Sequence, residues 1–205
     1  MNRLVIIGAG GHGIVVAEAA ADSKQWAEVV FLDDNISEAS IAGFPVLGPV
    51  ASLDCESFKD SDAIVAIGDN AKRICWLDAL AGKSIRVGVV EHPMSCVSRS
   101  AKLGDGVVLL AGSVVNARAT IGRGAILNTS ATVDHDCVIG DGVHISPGAN
   151  LAGNVEVGRR SWIGIGASIR EGVKIGENAI VGAGAAVVSD VSDGATVGGV
   201  PAREL

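Results

Sequence analysis

His135 is a residue around which chemistry could be built. It stands between two carboxylates in Val133-Asp134-His135-Asp136-Cys137. A carboxylate on one imidazole nitrogen fixes the tautomer and leaves the other nitrogen free as a general base. The same tripeptide also suits an ordinary polar turn, where Asp and His are common, so the local motif leaves both readings open. His144 follows in the next stretch, and His12 lies upstream in Gly8-Ala9-Gly10-Gly11-His12-Gly13. On spacing alone His144 could face a ligand or a neighbouring chain, or be a plain surface histidine. The four cysteines (55, 75, 96 and 137) form no C-x-x-C pair and no short metal spacing. Cys137 reads as a small buried residue. No G-x-S-x-G elbow offers an acyl-carrying serine.

What must hold these side chains is a repeat. Every sixth residue from Val97 to Val187 is Val, Leu or Ile, without one insertion. The residue four places after each is Ala, Ser, Cys or Val. A helix repeats near 3.6 and a strand at two; a period of six fits neither and marks a hexapeptide β-solenoid. In this register His135 takes the third place of its hexad, a corner rather than a wall. His144 takes the last place, just before Ile145. If three hexads make one coil, residues about eighteen apart stack. His135 then lies under Gly153, in Leu151-Ala152-Gly153-Asn154. A glycine there leaves an open backbone N–H beside the base, where an oxyanion could be held.

Ahead of the repeat, strands alternate with helices. Residues 2–7, 28–32, 62–67 and 85–90 predict strands, and residues 14–21 and about 71–80 predict helices. The Pro-flanked stretch 44–49 reads as an edge strand or loop. The alternation means a small parallel α/β sheet. His92-Pro93 punctuates, which places one domain at 1–93 and the other at 94–205. Gly8, Gly10 and Gly13 satisfy G-x-G-x-x-G between a strand and a helix, with Asp33 and Asp34 about twenty residues on. Such glycines let backbone amides approach a phosphate at a helix N-terminus. The length allows one mononucleotide-binding half, not the two that a dinucleotide spans. The reading is therefore a nucleotide, or a nucleotide joined to something small, in preference to NAD. A glycine turn that merely packs helix on strand is the other reading, and His12 could touch the ligand or cap the helix.

Composition narrows the partners. Aromatics make up 3% of the 205 residues and Tyr is absent, as suits a solenoid that stacks like on like. A net charge of −7 argues against nucleic acid as the main partner, without excluding a small anion held locally. Gly and charged residues interrupt every apolar run short of a membrane span. The apolar start is broken at Gly8, unlike a secretory signal. The expectation is a cytoplasmic protein without membrane insertion.

A glycine-rich α/β half followed by a hexapeptide solenoid resembles the bacterial sugar acetyltransferases. The likeness is greatest to the UDP-4-amino-sugar N-acetyltransferases of the bacillosamine pathway and the related sialic-acid O-acetyltransferases. It covers essentially the whole chain and is carried by Gly8–Gly13 (GAGGHG), Phe31–Asp34 (FLDD), Ala66–Asn70 (AIGDN), Leu127–Gly140 (LNTSATVDHDCVIG), His144–Ala149 (HISPGA) and Gly199–Arg203 (GVPAR). The resemblance implies a Rossmann-like sugar-nucleotide-binding domain and a left-handed parallel β-helix, an exception to the right-handed crossover rule. It implies a homotrimer with acetyl-CoA in the cleft between neighbouring helices, and no metal. It makes His135 the catalytic base and Asp136, where relatives often carry Glu, the acid that raises its basicity. Acetyl-CoA contacts fall on His144, Gly153, Ile165 and Ala183. Sugar-nucleotide contacts fall on Gly10, Gly11, His12, Gly13, Asp33, Asp34 and Gly68.

The activity so implied is direct acetyl transfer to the C4 amine of a UDP-linked 4-amino-4,6-dideoxy sugar. O-acetylation of sialic acid or another surface sugar is the neighbouring alternative. A non-catalytic trimeric nucleotide-binding scaffold is the alternative from another class. A zinc hydrolyase built on a solenoid needs three His ligands, and this repeat offers two.

Overall fold

The computed structural model describes residues 2–54, 56–83 and 85–205; Cys55, one of the four cysteines above, lies outside the described residues. The front half runs β1 (Arg3–Ile7), α1 (Gly11–Ser23), β2 (Glu28–Leu32), a small hairpin of β3 (Ser40–Ile41) and β4 (Phe44–Pro45), β5 (Ser61–Val65), α2 (Asn70–Ala81) and β6 (Arg86–Val87). The sheet order is β2-β1-β5-β6, all parallel. β1 is apolar almost throughout because both its faces are covered. Leu4, Ile6, Phe31 and Ile64 point to the face of α1, against Val16, Ala17 and Ala20. Val5, Ile7, Val30 and Val65 point to the other face, against Ile74, Leu77 and Leu80 of α2. α1 starts three residues earlier than its periodicity predicts, so His12 lies within its first turn. The strand expected over 85–90 shrinks to β6, because Val90–Glu91 already pairs with Val108–Leu109 as a rung of the solenoid.

The solenoid is a left-handed parallel β-helix with three walls of two-residue rungs. The first wall runs through Val90–Glu91, Val108–Leu109, Ile126–Leu127, His144–Ile145, Trp162–Ile163 and Ile180–Val181. The second includes Thr132–Val133 and Asn150–Leu151; the third includes Val138–Ile139 and Glu156–Val157. From Val97 to Val187 the second residue of each rung is the aliphatic of the six-residue register and points inward; Leu127, Val133 and Ile145 are fully buried. The first residue of each rung points outward. On the third wall that column carries Lys102, Thr120, Val138, Glu156 and Lys174, mostly polar as an exposed face should be. On the first wall it reads Val90, Val108, Ile126, His144, Trp162 and Ile180.

That apolar column is where the front domain docks. α1 packs over Val90, Val108 and Ile126, joining them to the core of the α/β sheet. α2 docks on the corner that precedes the first wall. Gly106, Gly124 and Gly142 stack there, and a β-carbon on Gly124 or Gly142 would strike Leu77 or Ile74 at 2.4–2.5 Å. Above them the same corner position is filled by Arg160 and Asn178, past the point where Ile74 and Leu77 reach. No helix among the described residues is long and apolar enough to cross a membrane.

Candidate active site

His135 sits at the corner between the second and third walls, its side chain 51% exposed. Its two flanking carboxylates divide the work. Asp134 Oδ1 accepts the His135 backbone N–H at 2.7 Å and the Asn116 Nδ2 at 2.9 Å, which pins the loop. Asp136 Oδ2 lies 2.8 Å from His135 Nδ1, which pins the ring. Asp136 has a left-handed backbone (φ +61), and from there its short carboxylate reaches the ring. Arg118, one coil below, donates from Nε and Nη2 to the two Asp136 oxygens, both at 2.6 Å. The Arg118 hydrogen bonds, followed by that to His135, hold Asp136 well below the usual carboxylate range. An ionised Asp136 accepts, so Nδ1 carries the proton and Nε2 is the free basic nitrogen.

Gly153 lies one coil above, in van der Waals contact with that ring. A β-carbon at 153 would fall 2.6 Å from both Cε1 and Nε2 of His135. Among the described residues no acceptor is paired with the Gly153 N–H. Counting in eighteens therefore placed the pair correctly.

His144 is not a surface histidine. It is 7% exposed, its ring centroid 4.5 Å from that of Trp162, and its Nε2 lies 3.2 Å from Asn128 Nδ2. Its Nδ1 is buried without a partner among the described residues. His12 reaches across from α1, ring centroid 6.4 Å away, and its Nε2 is likewise buried and unpartnered. Burial, with Arg73 nearby, pushes His12 down to about 4 and His144 down to about 3, so both are neutral at pH 7. Beside His144 opens an apolar groove of about 470 Å³ lined by Pro147, Trp162, Ile165, Ile180 and Ala183, with Ser146 accepting from Trp162 Nε1 at 2.9 Å.

The glycine loop faces the first wall at the carboxyl ends of β1, β2 and β5, the usual crevice for ligands in such sheets. Gly10 and Gly11 have open space where a side chain would be, and the first turn of α1 has neither a capping side chain nor an acidic residue. Gly13 is demanded by packing: its β-carbon would fall 2.1 Å from Gly8 O. Asp33 braces the loop, Oδ2 accepting the Ala9 N–H at 2.8 Å, and Asp34 Oδ1 accepts the Val50 N–H at 2.8 Å. Gly68 presents its carbonyl to Arg73 at 3.1 Å.

Arg73 and Asn70 were not legible in the sequence. Arg73 is fully buried, yet none of its hydrogen-bond partners among the described residues is a carboxylate. It donates to the carbonyls of Ile67 and Gly68 in the front domain, to those of Gly124 and Gly142 in the solenoid, and to Asn70 Oδ1. Burial lowers it to about 10, which leaves it cationic at neutral pH. Asn70 Nδ2 donates to the carbonyls of Arg160 and Ser161 at 3.0 and 3.1 Å. Together they staple α2 to the corner. Trp162 and Asn128 were missed too; the signal for Trp162 was an apolar outward column on one wall.

The residues singled out in the sequence thus form three groups. His135, Asp136 and Gly153 meet at one edge of the prism. His144, Ile165 and Ala183 share the groove on another, with His12 at its border. Gly10, Gly11, Gly13, Asp33, Asp34 and Gly68 surround the loop crevice beside His12. Within one chain the first group stands apart from the other two.

A corner histidine oriented by a carboxylate, on a hexapeptide β-helix with a separate apolar groove, defines the class of hexapeptide acyltransferases. Family models agree: residues 3–80 match the PglD N-terminal domain, and residues 118–153 and 154–188 match the bacterial transferase hexapeptide repeats. The chain is 45% identical to the acetyltransferase domain of PglB from Neisseria gonorrhoeae, with a TM-score of 0.96 over 99% of both chains. A second structure of that domain is a complex with acetyl coenzyme A. PerB from Caulobacter crescentus, in complex with CoA and GDP-perosamine, is 39% identical, with a TM-score of 0.90 over 98% of this chain and 96% of PerB. UDP-N-acetylbacillosamine N-acetyltransferase of Bacillus subtilis is 35% identical over 114 residues, 54% of this chain and about half (52%) of that protein. The chain belongs to the family of sugar acetyltransferases that join a PglD N-terminal domain to hexapeptide repeats.

Proposed function

We propose that this chain transfers an acetyl group from acetyl-CoA to the amino group of a nucleotide-linked sugar, in particular the C4 amine of a UDP-linked 4-amino-4,6-dideoxy sugar. The observation that carries this is the His135 ring, with Nδ1 on an ionised Asp136 and Nε2 free beside the open Gly153 amide, in a chain so similar to an acetyltransferase domain. The amine nitrogen attacks the thioester carbonyl while His135 Nε2 takes its proton. The carbonyl oxygen becomes an oxyanion held by the Gly153 N–H. The intermediate collapses with cleavage of the C–S bond, and the imidazolium returns the proton to the CoA thiolate. No acyl-enzyme is formed.

The residues fit the two substrates. The groove beside His144, lined by Ile165 and Ala183, suits the pantetheine arm. The uncapped N-terminus of α1 with open Gly10 and Gly11 suits a diphosphate. Because the corner and the groove lie on different edges, a homotrimer with near-parallel axes completes the site, setting His135 of one protomer against the groove of the next. Exposed Trp162, Ile165 and Ile180 are the apolar surface such packing would cover.

The test is free-thiol release from acetyl-CoA with UDP-, dTDP-, GDP- and CMP-linked amino and hydroxy sugars. The UDP-4-amino sugar should be the best substrate. H135A should lose roughly 10²–10⁴-fold in kcat. Full turnover in H135A, or release only with hydroxy sugars, overturns the reading.

A further inference from the structure

Arg118 has no part in the chemistry above, yet it grips the residue that orients the base. Its backbone is left-handed (φ +61), in a column whose next members up the helix are Asp136, Asn154 and Gly172. Gly or Asn adopts that conformation at less cost than Arg, whose β-carbon crowds the following carbonyl. A rung between coils would be explanation enough, since Arg160 and Asn178 repeat the device at another corner: both are left-handed, with Arg160 Nε donating to Asn178 Oδ1 at 2.9 Å. Arg118 differs in what its acceptor does. Asp136 Oδ2 receives Arg118 Nη2 at 2.6 Å and His135 Nδ1 at 2.8 Å, while Oδ1 receives Arg118 Nε.

We propose that Arg118 is a positioning residue for the transfer: by holding both oxygens of Asp136 it aims the His135 ring, and by sharing that carboxylate's charge it restrains how tightly the ring keeps a proton. This rests on the reading of His135 as the base. The charges facing His135 are Asp134 and Asp136 on its own corner and Arg118 below; Gly153 and Asn154 above carry none. Arg99, two coils below, and Arg170 and Glu171, two coils above, are the next on this edge.

The experiment is the pH dependence of kcat/KM in R118Q, R118K and R160Q. Removing the Arg118 cation favours the imidazolium, so the acid limb in R118Q should move to higher pH. Plateau kcat should fall while both KM values hold. R118K restores the charge but not the two-pronged grip, so the limb should return without full kcat. R160Q should change the melting temperature alone. An R118Q limb that superimposes on wild type, with H135A inactive, overturns this proposal and spares the base assignment. A rise in KM for acetyl-CoA alone overturns it too, making Arg118 a phosphate contact. H135A with full turnover would instead bring down the base assignment itself.

Discussion

The imidazole of His135 lies so close to Gly153 that a β-carbon on the glycine would fall 2.6 Å from both Cε1 and Nε2. The ring owes its position as much to that missing methyl group as to Asp136. In G153A the half-exposed ring should swing outward, since solvent leaves it room. Misplacing a reacting group by about an ångström costs on the order of 10²-fold. G153A should therefore lose about 10²-fold in kcat/KM with an almost unchanged melting temperature, read by thiol release and calorimetry. Near-wild-type turnover would break the link.

His12 and His144 make stability depend on pH. Their folded values, about 4 and about 3, lie below the ordinary 6.5, so the unfolded chain binds more protons between these limits. Stability is then full above about pH 6.5 and falls as the pH drops. Each histidine adds a slope of at most about 1.4 kcal/mol per pH unit. Urea midpoints at pH 7.5, 6.0 and 5.0 should decline in wild type and decline less in H12Q and H144Q. Parallel curves for all three proteins would count against buried neutral histidines.

Arg73 joins the domains by donating to carbonyls on both sides. R73M leaves those acceptors buried and unpaired, a loss of about 3 kcal/mol or more. Because Gly68 is one of them, KM for the nucleotide sugar should rise in the fraction that stays folded. Urea unfolding checks the first expectation and steady-state kinetics the second. A neutral R73M would mean that Asn70, Ile74 and Leu77 suffice to dock α2.

Gly142 and Gly148 have the same backbone (φ +67) but different surroundings. Nothing lies within 4 Å of a β-carbon built on Gly148, whereas on Gly142 it would meet Ile74 Cγ1 at 2.5 Å. Both alanine variants carry the left-handed strain, about 1–2 kcal/mol. G142A should lose a further 1–3 kcal/mol or so from overpacking against α2. The difference between their unfolding free energies measures the docking contact, and equal losses would show that Ile74 yields freely.

The repeat was legible because its neighbours follow from arithmetic. A fixed period sends each aliphatic inward and stacks residues eighteen apart, so the walls, the His135 corner and its contact with Gly153 came from counting alone. Adjacency in the chain put Asp134 and Asp136 equally beside His135; the resemblance singled out Asp136, and the structure sets it on the ring. The glycine loop was legible as a turn between β1 and α1, because Gly13 has no alternative against Gly8. What counting could not reach is where a non-repeating domain settles on a repeating prism. No sequence offset links Arg73 to Gly124 and Gly142, or His12 to His144. Those meetings arise from shape: three stacked glycines make a shallow corner that admits α2, and α1 then covers the first wall as far as Ile126. His144 is the next rung, at the border of that cover, which is why a residue that could pass for a surface histidine is buried, neutral and left with an unpartnered nitrogen.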